Sequence, residues 1–276
     1  MRPRVSVVVP AFRNISHLAQ TLDSILAQRY EDYELVVADH SSDDGTEQLL
    51  ARYAGHDRVR VLASTPTGGG AVANWNRVSS AAQGDLLKLV CGDDLISPGA
   101  IAAQVAAFDA NPSVVLVACQ RDLIGADGGR LLSARGLGAL QGLVPGPAAI
   151  RASVKAGTNL LGEPGGVMMK REVLEHVGWW DSSFPYLIDQ ATYSRVLLNG
   201  DLYAIRESQA SFRLSSGQWS VRLAREQAAQ ARAFHRWVRD QDPGLVSKRD
   251  LATGNFNASM MAWARRAAYH WFRSRM

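Results

Sequence analysis

The chain reads as an α/β fold: a mostly parallel central sheet flanked by helices, with a helical appendage at its C-terminus. Three observations predict it. Strand-length apolar runs at Arg4–Val9, Glu34–Ala38 and Leu86–Val90 alternate with amphipathic stretches, the spacing of βαβ units with right-handed crossovers. These runs are rich in valine and leucine and are bounded by turn formers, as strands buried on both faces are. Their carboxyl ends carry Pro10-Ala11-Phe12, Asp39 and Asp93-Asp94, and open α/β sheets bind ligands at that edge.

Taken in order, the first strand is ended by Pro10, which cannot donate to a sheet ladder. Ser16 suits the N-cap of a helix whose apolar face is Leu18, Leu22, Ile25 and Leu26. A polar string from His40 to Thr46 follows the second strand and opens a helix toward Tyr53. Arg58–Ala63 is a third strand, and Thr67-Gly68-Gly69-Gly70 precedes a helix from about Val72 to Ala82. After the Leu86 strand, a helix runs to about Asn111 and Val114–Ala118 is another strand. Gly125 to Pro147 is glycine-rich with little periodicity and reads as a loop or irregular excursion. Order resumes near Gly165, with a strand to Lys170, a short helix to Val177, a helix from Asp189 through Leu198 and a late strand from Asp201 to Ile205. Two helices close the chain, about Val221–Arg239 and Phe256–Phe272. These divide it into residues 1–219 and a helical extension, residues 220–276.

The 276 residues are 47% hydrophobic and 20% charged, which describes a folded protein and not a disordered one. No run reaches the roughly 18 apolar residues of a membrane span, and residues Met1–Phe12 lack a signal-peptide pattern. The expectation is a cytoplasmic protein. The two cysteines, Cys91 and Cys119, lie in or beside apolar runs and read as buried thiols. A net charge of +4 suits an acidic ligand or an anionic surface, and does not argue for nucleic acid. The last helix places Phe256, Met260, Trp263, Ala267 and Trp271 at helical spacing. From Leu251 onward there is no acidic residue, while Arg265, Arg266, Arg273 and Arg275 are present. Such a helix can lie on an anionic inner membrane face or pack its stripe on the main domain with its arginines solvated.

Chemistry concentrates at Asp93-Asp94. Adjacent carboxylates repel each other, and a hard divalent cation holding a phosphate is one reason to tolerate them; solvated turn residues are the other reading. Asp39 can accept hydrogen bonds from a base or ribose. The glycine run lacks the Gly-Lys-Ser/Thr of a phosphate loop and reads as a flexible loop near the ligand. Trp179 and Trp180 offer aromatic faces that suit a sugar ring, with core packing of at least one as the alternative. Asp181 beside them is either an acceptor contact or a turn residue.

The segments Val5–Phe12, Val36–Thr46 and Leu89–Pro98 together resemble the successive signatures of family 2 glycosyltransferases, of the GT-A fold, and the likeness extends over roughly Arg4–Arg213. That resemblance implies an inverting transfer from a nucleotide-diphosphate sugar, a UDP- or dTDP-sugar, to a hydroxyl of a carbohydrate or lipid-linked acceptor. Pro10, Ala11 and Phe12 would line the nucleobase pocket and Asp39 would read the base. Asp93 and Asp94 match the metal motif, with Asp94 the direct ligand of Mg²⁺ or Mn²⁺. Asp189 matches the catalytic base, and Arg213 a late arginine that reaches the diphosphate. A metal and an arginine would neutralise the leaving group while the carboxylate deprotonates the acceptor. Four positions depart from the pattern: His40, Cys91 and Ile188 stand where the family often has acids, and Ser215 where it often has histidine. A non-catalytic nucleotide-sugar-binding protein on the same fold is the alternative they leave open.

Overall fold

A computed structural model describes residues 2–214 and 226–271, with side chains in the last helix as far as residue 264. The first half alternates as expected: β1 (Val5–Ala11), α1 (Leu18–Leu26), β2 (Tyr33–Asp39), α2 (Thr46–Ala51), β3 (Val59–Val61), α3 (Gly70–Ser80) and β4 (Leu86–Leu89). A two-residue strand β5 (Leu95–Ile96) and α4 (Ala100–Ala110) follow. The second half holds β6 (Val114–Ile124), β7 (Arg130–Arg135), β8 (Gly142–Val144), α5 (Gly146–Ala156), β9 (Val167–Lys170) and α6 (Arg171–His176). It closes with α7 (Ile188–Leu197), β10 (Asp201–Arg213), α8 (Gln227–Gln241) and α9 (Lys248–Trp271).

The described strands form one mixed sheet in the order β3-β2-β1-β4-β9-β6-β10-β5, with β7 beside β6 and β8 beside β10. Its β3-β2-β1-β4 half is parallel. β9 runs antiparallel between β4 and β6, and β6 and β10 are again parallel. In β1, Val5, Val7 and Val9 enter one apolar cluster and Val8 the other, so both faces are covered and the apolar run is unbroken. The parallel half therefore ends Ala11, Asp39 and the Asp93-Asp94 corner along one edge.

Several local expectations are corrected. Pro10 does not end β1, which pairs with β2 through Ala11. The Val8 carbonyl accepts from Val90 on the β4 side and the Ala11 carbonyl from His40 on the β2 side. Pro10 thus faces the β4 side beyond the last paired residue there, where no donor is needed. Ser16 is not a cap: α1 begins at Leu18, and the Asn14 carbonyl accepts from both His17 and Leu18. The stretch from Gly125 to Pro147 is ordered, with β7 antiparallel on β6 and β8 antiparallel on β10 before α5 begins at Gly146.

The last two helices share the main core. Ala231, Phe234 and Val238 of α8 and Ala258 of α9 belong to the same cluster as Val8, Leu87 and Leu116 of the sheet. Helix α9 packs on α5 through its small residues. A Cβ added at Gly254 would meet the Val154 carbonyl at 2.2 Å, and one added at Gly157 would meet the Ala258 nitrogen at 2.3 Å. That approach selects the Gly254, Ala258 and Ala262 side of the helix and turns the expected stripe outward. Phe256, Met260 and Trp263 are 67%, 51% and 64% exposed. The side chains of Ala267 and Trp271 and of the four arginines lie outside the described residues, as does the expected domain boundary at 219/220. Substituting Gly254→Ala should force α9 off α5 and lower stability by about 1–3 kcal/mol, read as a lower denaturant midpoint at unchanged slope. An unchanged midpoint would contradict the close approach.

Candidate functional site

At the end of β4 the chain turns sharply, with the Asp94 N–H donating to the Cys91 carbonyl at 3.1 Å. Asp94 is 1% exposed. Its Oδ1 accepts from the backbone N–H of Arg213 at 3.0 Å, and its Oδ2 is buried with no partner among the described residues. Burial first, then the charge of Asp93, pushes the Asp94 carboxyl well above its ordinary range. A buried carboxylate oxygen without a donor is unfavourable, and a hard cation is the ligand that suits it. Among the described residues no group of three or more His, Cys, Asp or Glu converges to hold a metal. The donor set is Asp94 and Asp93, which fits a cation that completes its shell with phosphate and water oxygens.

Beside this corner lies a second acidic group. Asp189, in the first turn of α7, is pushed up to about 7, mainly by burial, with Glu163 adding to the shift. Its Oδ1 accepts from the Gln190 N–H at 2.7 Å and its Oδ2 from Asn159 Nδ2 at 2.9 Å. Asn159 is itself locked, its Oδ1 accepting from the N–H groups of Leu161 and Gly162. Arg121 grips Glu163 with two nitrogens, Nη2 at 3.1 Å from Oε1. Gly136 and Gly162, both at positive φ, crowd its guanidinium so closely that a Cβ at Gly136 would lie 2.2 Å from Nη1. Asp94, Arg121, Glu163 and Gly165 line one narrow cleft with Ser211 and Phe212. Cys91 stands among these groups: its thiol is pushed up by burial and by Asp94, Asp93, Asp189 and Glu163, and stays protonated.

The cleft wall is held from beneath by a buried lysine. Lys88 Nζ donates to the Gly165 carbonyl at 2.6 Å and to Gln104 Oε1 at 2.9 Å, and Gln104 Nε2 donates to the Gly166 carbonyl at 3.0 Å. Burial lowers Lys88 to about 8. Its described partners are neutral oxygens: the Gln104 side chain of α4, the carbonyl of Gly165 in the turn against Asp94, and the carbonyl of Val167 at the start of β9.

The expected nucleobase corner is assembled at the ends of β1 and β2. Pro10 and Ala11 are buried there, while Phe12 is half exposed, its ring centroid 5.8 Å from that of His40. Asn74 Nδ2 ties the two strands by donating to the carbonyls of Ala11 and Ala38. His40 Nε2 lies 3.0 Å from the Gly68 carbonyl and joins the glycine run to the same corner. Asp39 is 2% exposed, and both its oxygens accept from Ser42: Oδ2 from the N–H at 2.8 Å, Oδ1 from the hydroxyl. Its carboxylate shapes its own loop in this conformation.

Three expected site residues are placed otherwise. Trp180 is no open sugar platform: it is 3% exposed, its indole N–H donates to Ser79 Oγ, and it packs edge-on against Trp75 and Tyr193. Asn76 holds its backbone from both sides. Asp181 is a buried structural acid, 2.7 Å from Arg195 Nη2 and accepting from the Ser183 N–H. Arg213 is fully buried, and its guanidinium donates to the carbonyls of Asp93, Gly125 and Ala126 and to Gln20 Oε1. It braces the Asp93-Asp94 corner from within. The residues not foreseen are Arg121, Glu163, Asn159 and Lys88. The two basic ones carried a signal, because each interrupts or abuts an apolar strand run.

The glycosyl transferase family 2 signature matches residues 6–178. Glycosyltransferase GlyG of Streptococcus pneumoniae is 32% identical over 102 residues, 37% of this chain and 34% of that protein. The O-antigen biosynthesis protein RfbC of Myxococcus xanthus is 33% identical over 132 residues, 47% of this chain and 10% of that protein. The match thus spans about a third of one relative's length and a tenth of the other's. Among solved structures, S. aureus TarS 1–349 in complex with UDP-GlcNAc aligns with a TM-score of 0.68 at 17% identity, over 86% of this chain and 66% of that one. Mannosyltransferase PcManGT from Pyrobaculum calidifontis, in complex with GDP-Man and Mn²⁺, aligns with a TM-score of 0.68 at 21% identity, over 98% and 76%. At these identities the likeness is one of fold, and it matches the GT-A architecture expected from the sequence. The family signature spans more than half of the chain, including the strand ends that carry Asp39 and Asp93-Asp94, and the chain belongs to glycosyl transferase family 2.

Proposed function

We propose that this chain is an inverting, metal-dependent glycosyltransferase that moves a sugar from a UDP- or dTDP-sugar to a hydroxyl of a cell-envelope or polysaccharide acceptor. The observation that carries the reading is Asp189, a half-buried carboxylate raised to about 7 in the same acidic group as the unpartnered Oδ2 of Asp94. The UDP-GlcNAc complex of TarS supports the donor class, the GDP-Man and Mn²⁺ complex of PcManGT supports a nucleotide sugar and a metal without favouring that base, and the O-antigen role in the name of RfbC supports the acceptor class.

In this reading Pro10 and Ala11 floor the base pocket, Phe12 stacks on the base, and Asp39 accepts from it once Ser42 gives way. Asp94 and Asp93 would hold Mg²⁺ or Mn²⁺, and the cation would supply positive charge for the leaving diphosphate. Asp189 takes the proton of the acceptor hydroxyl. The hydroxyl oxygen forms its bond to the anomeric carbon as the carbon–oxygen bond to the diphosphate breaks, the electron pair leaving with the diphosphate. Glu163 is gripped by Arg121 and is not free to act as a nucleophile, which leaves one base and a single inverting displacement. Asn159 holds Asp189 in place. The commitment of Arg213 to carbonyls favours the second reading, a non-catalytic nucleotide-sugar-binding protein. Metal-dependent donor hydrolysis without acceptor rejects that reading.

Thermal melts with UDP, GDP, dTDP and CDP, each with and without Mn²⁺, test the donor site. One nucleotide should raise the melting temperature only with metal, by the equivalent of roughly 2.7 kcal/mol at a hundred times its Kd, and Asp94→Ala should abolish the effect. No stabilisation by any of the four would count against the reading.

Replacing the base, Asp189→Asn, should lower transfer by at least about a hundredfold while leaving the nucleotide effect intact. It also carries a stability signature. A carboxyl raised in the folded state favours its protonated form there, so the parent loses stability as pH rises from the ordinary carboxylate value toward 7. Between pH ~5 and ~8 the parent should lose about 2–3 kcal/mol relative to the variant. Parallel pH–stability curves for the two would contradict the burial of an ionisable Asp189.

A further inference from the structure

The outer face of α9 is apolar, exposed and free of negative charge. Phe256, Met260 and Trp263 stand on one side of the helix at 67%, 51% and 64% exposure, with exposed Ala252 and Ala264 beside them. The opposite side is locked to α5 through Gly254 and Ala258, so α9 cannot roll to hide these side chains without losing that packing. Three large apolar residues held in water by a rigid seat mark a surface that another phase or molecule covers.

The surrounding charge says what kind. Lys248 and Arg249 are exposed at the start of the helix. Asp250, the one acid of α9, is turned inward, accepting from Arg151 Nε at 2.9 Å and from the Ser247 hydroxyl at 2.8 Å. Arg232 of α8 reaches across to Ser259, the neighbour of Met260. The sequence after Asp250 holds no acidic residue and four arginines. Among the described residues no helix is long and apolar enough to cross a membrane. An apolar ridge one helix wide, with Lys248 and Arg249 exposed at its start and no acid after Asp250 in the sequence, fits the headgroup–acyl boundary of an anionic bilayer, where aromatic and thioether side chains sink in and cations meet phosphates.

We propose that α9 docks the protein onto anionic membrane surfaces, with Phe256, Met260 and Trp263 inserted and the flanking lysine and arginines on the headgroups. The geometry gives an in-plane contact, because the seat on α5 leaves this one face of the helix outward. The inference is independent of the proposed donor chemistry.

Flotation of the full chain with vesicles tests it. The protein should float with phosphatidylcholine–phosphatidylglycerol vesicles and stay behind with phosphatidylcholine alone, and added salt should weaken the association. The triple variant Phe256→Ser, Met260→Ser, Trp263→Ser should bind at least about tenfold less at an unchanged melting temperature. Should the triple variant misfold, Trp263→Ser alone carries the same test with a smaller loss. A triple variant that floats like the parent would overturn the proposal, as would indifference of the parent to anionic lipid. Sedimentation velocity supplies the remaining arm: a parent dimer that dissociates in the triple variant would make this face a seam between two copies instead.

Discussion

Burying carboxylates without a counter-cation is unfavourable, and the architecture around Asp94 and Asp189 is organised by that constraint. Each would ionise readily in water. In the protein, burial raises both, with Asp93 adding to Asp94 and Glu163 adding to Asp189. Arg121 sits among them and is bound bidentately by Glu163, so its charge is committed chiefly to that acid, and Arg213 offsets Asp94 only in part. A site that is electrostatically incomplete alone binds a cation–diphosphate more favourably than one already neutral.

The fold makes that arrangement rigid with few elements. Parallel pairing of β2, β1 and β4 brings three strand ends to one edge, and β9, inserted antiparallel between β4 and β6, brings the Pro164–Gly166 turn against Asp94. Lys88 and Gln104 fix that turn by its carbonyls, and Asn159 fixes Asp189. Arg213 serves the same end from β10, donating its backbone N–H to Asp94 and its guanidinium to the Asp93 carbonyl.

The parallel half was legible in the sequence because its strands are buried on both faces and read as continuous valine and leucine runs whose ends carry the acids. The second half was legible in part: the strands at Val114, before Lys170 and at Asp201 and the helices to Val177 and through Leu198 stand where expected, while β7, β8 and the long-range partners do not show in the sequence, for physical reasons. β7 is almost wholly exposed and β8 has three residues, so neither carries an apolar alternation. Trp180 is claimed by Asn76 and Ser79, and Arg213 by Asp93, Gly125 and Gln20; these partners are distant in the chain and leave no local pattern. In α9 the sequence offers two stripes, one of Gly254, Ala258 and Ala262 and one of Phe256, Met260 and Trp263. Hydrophobicity favours burying the second, whereas the close approach of α5 admits only the first.

The central claim is that a half-buried, raised Asp189 is the base of a metal-assisted transfer, and the pH dependence of turnover tests it most directly. Single-turnover transfer to an acceptor or to water, with donor and metal held saturating at each pH, should fall tenfold per pH unit below about 7. A rate that stays level down to pH ~5, falling only near the ordinary carboxylate value of about 4, would contradict the account.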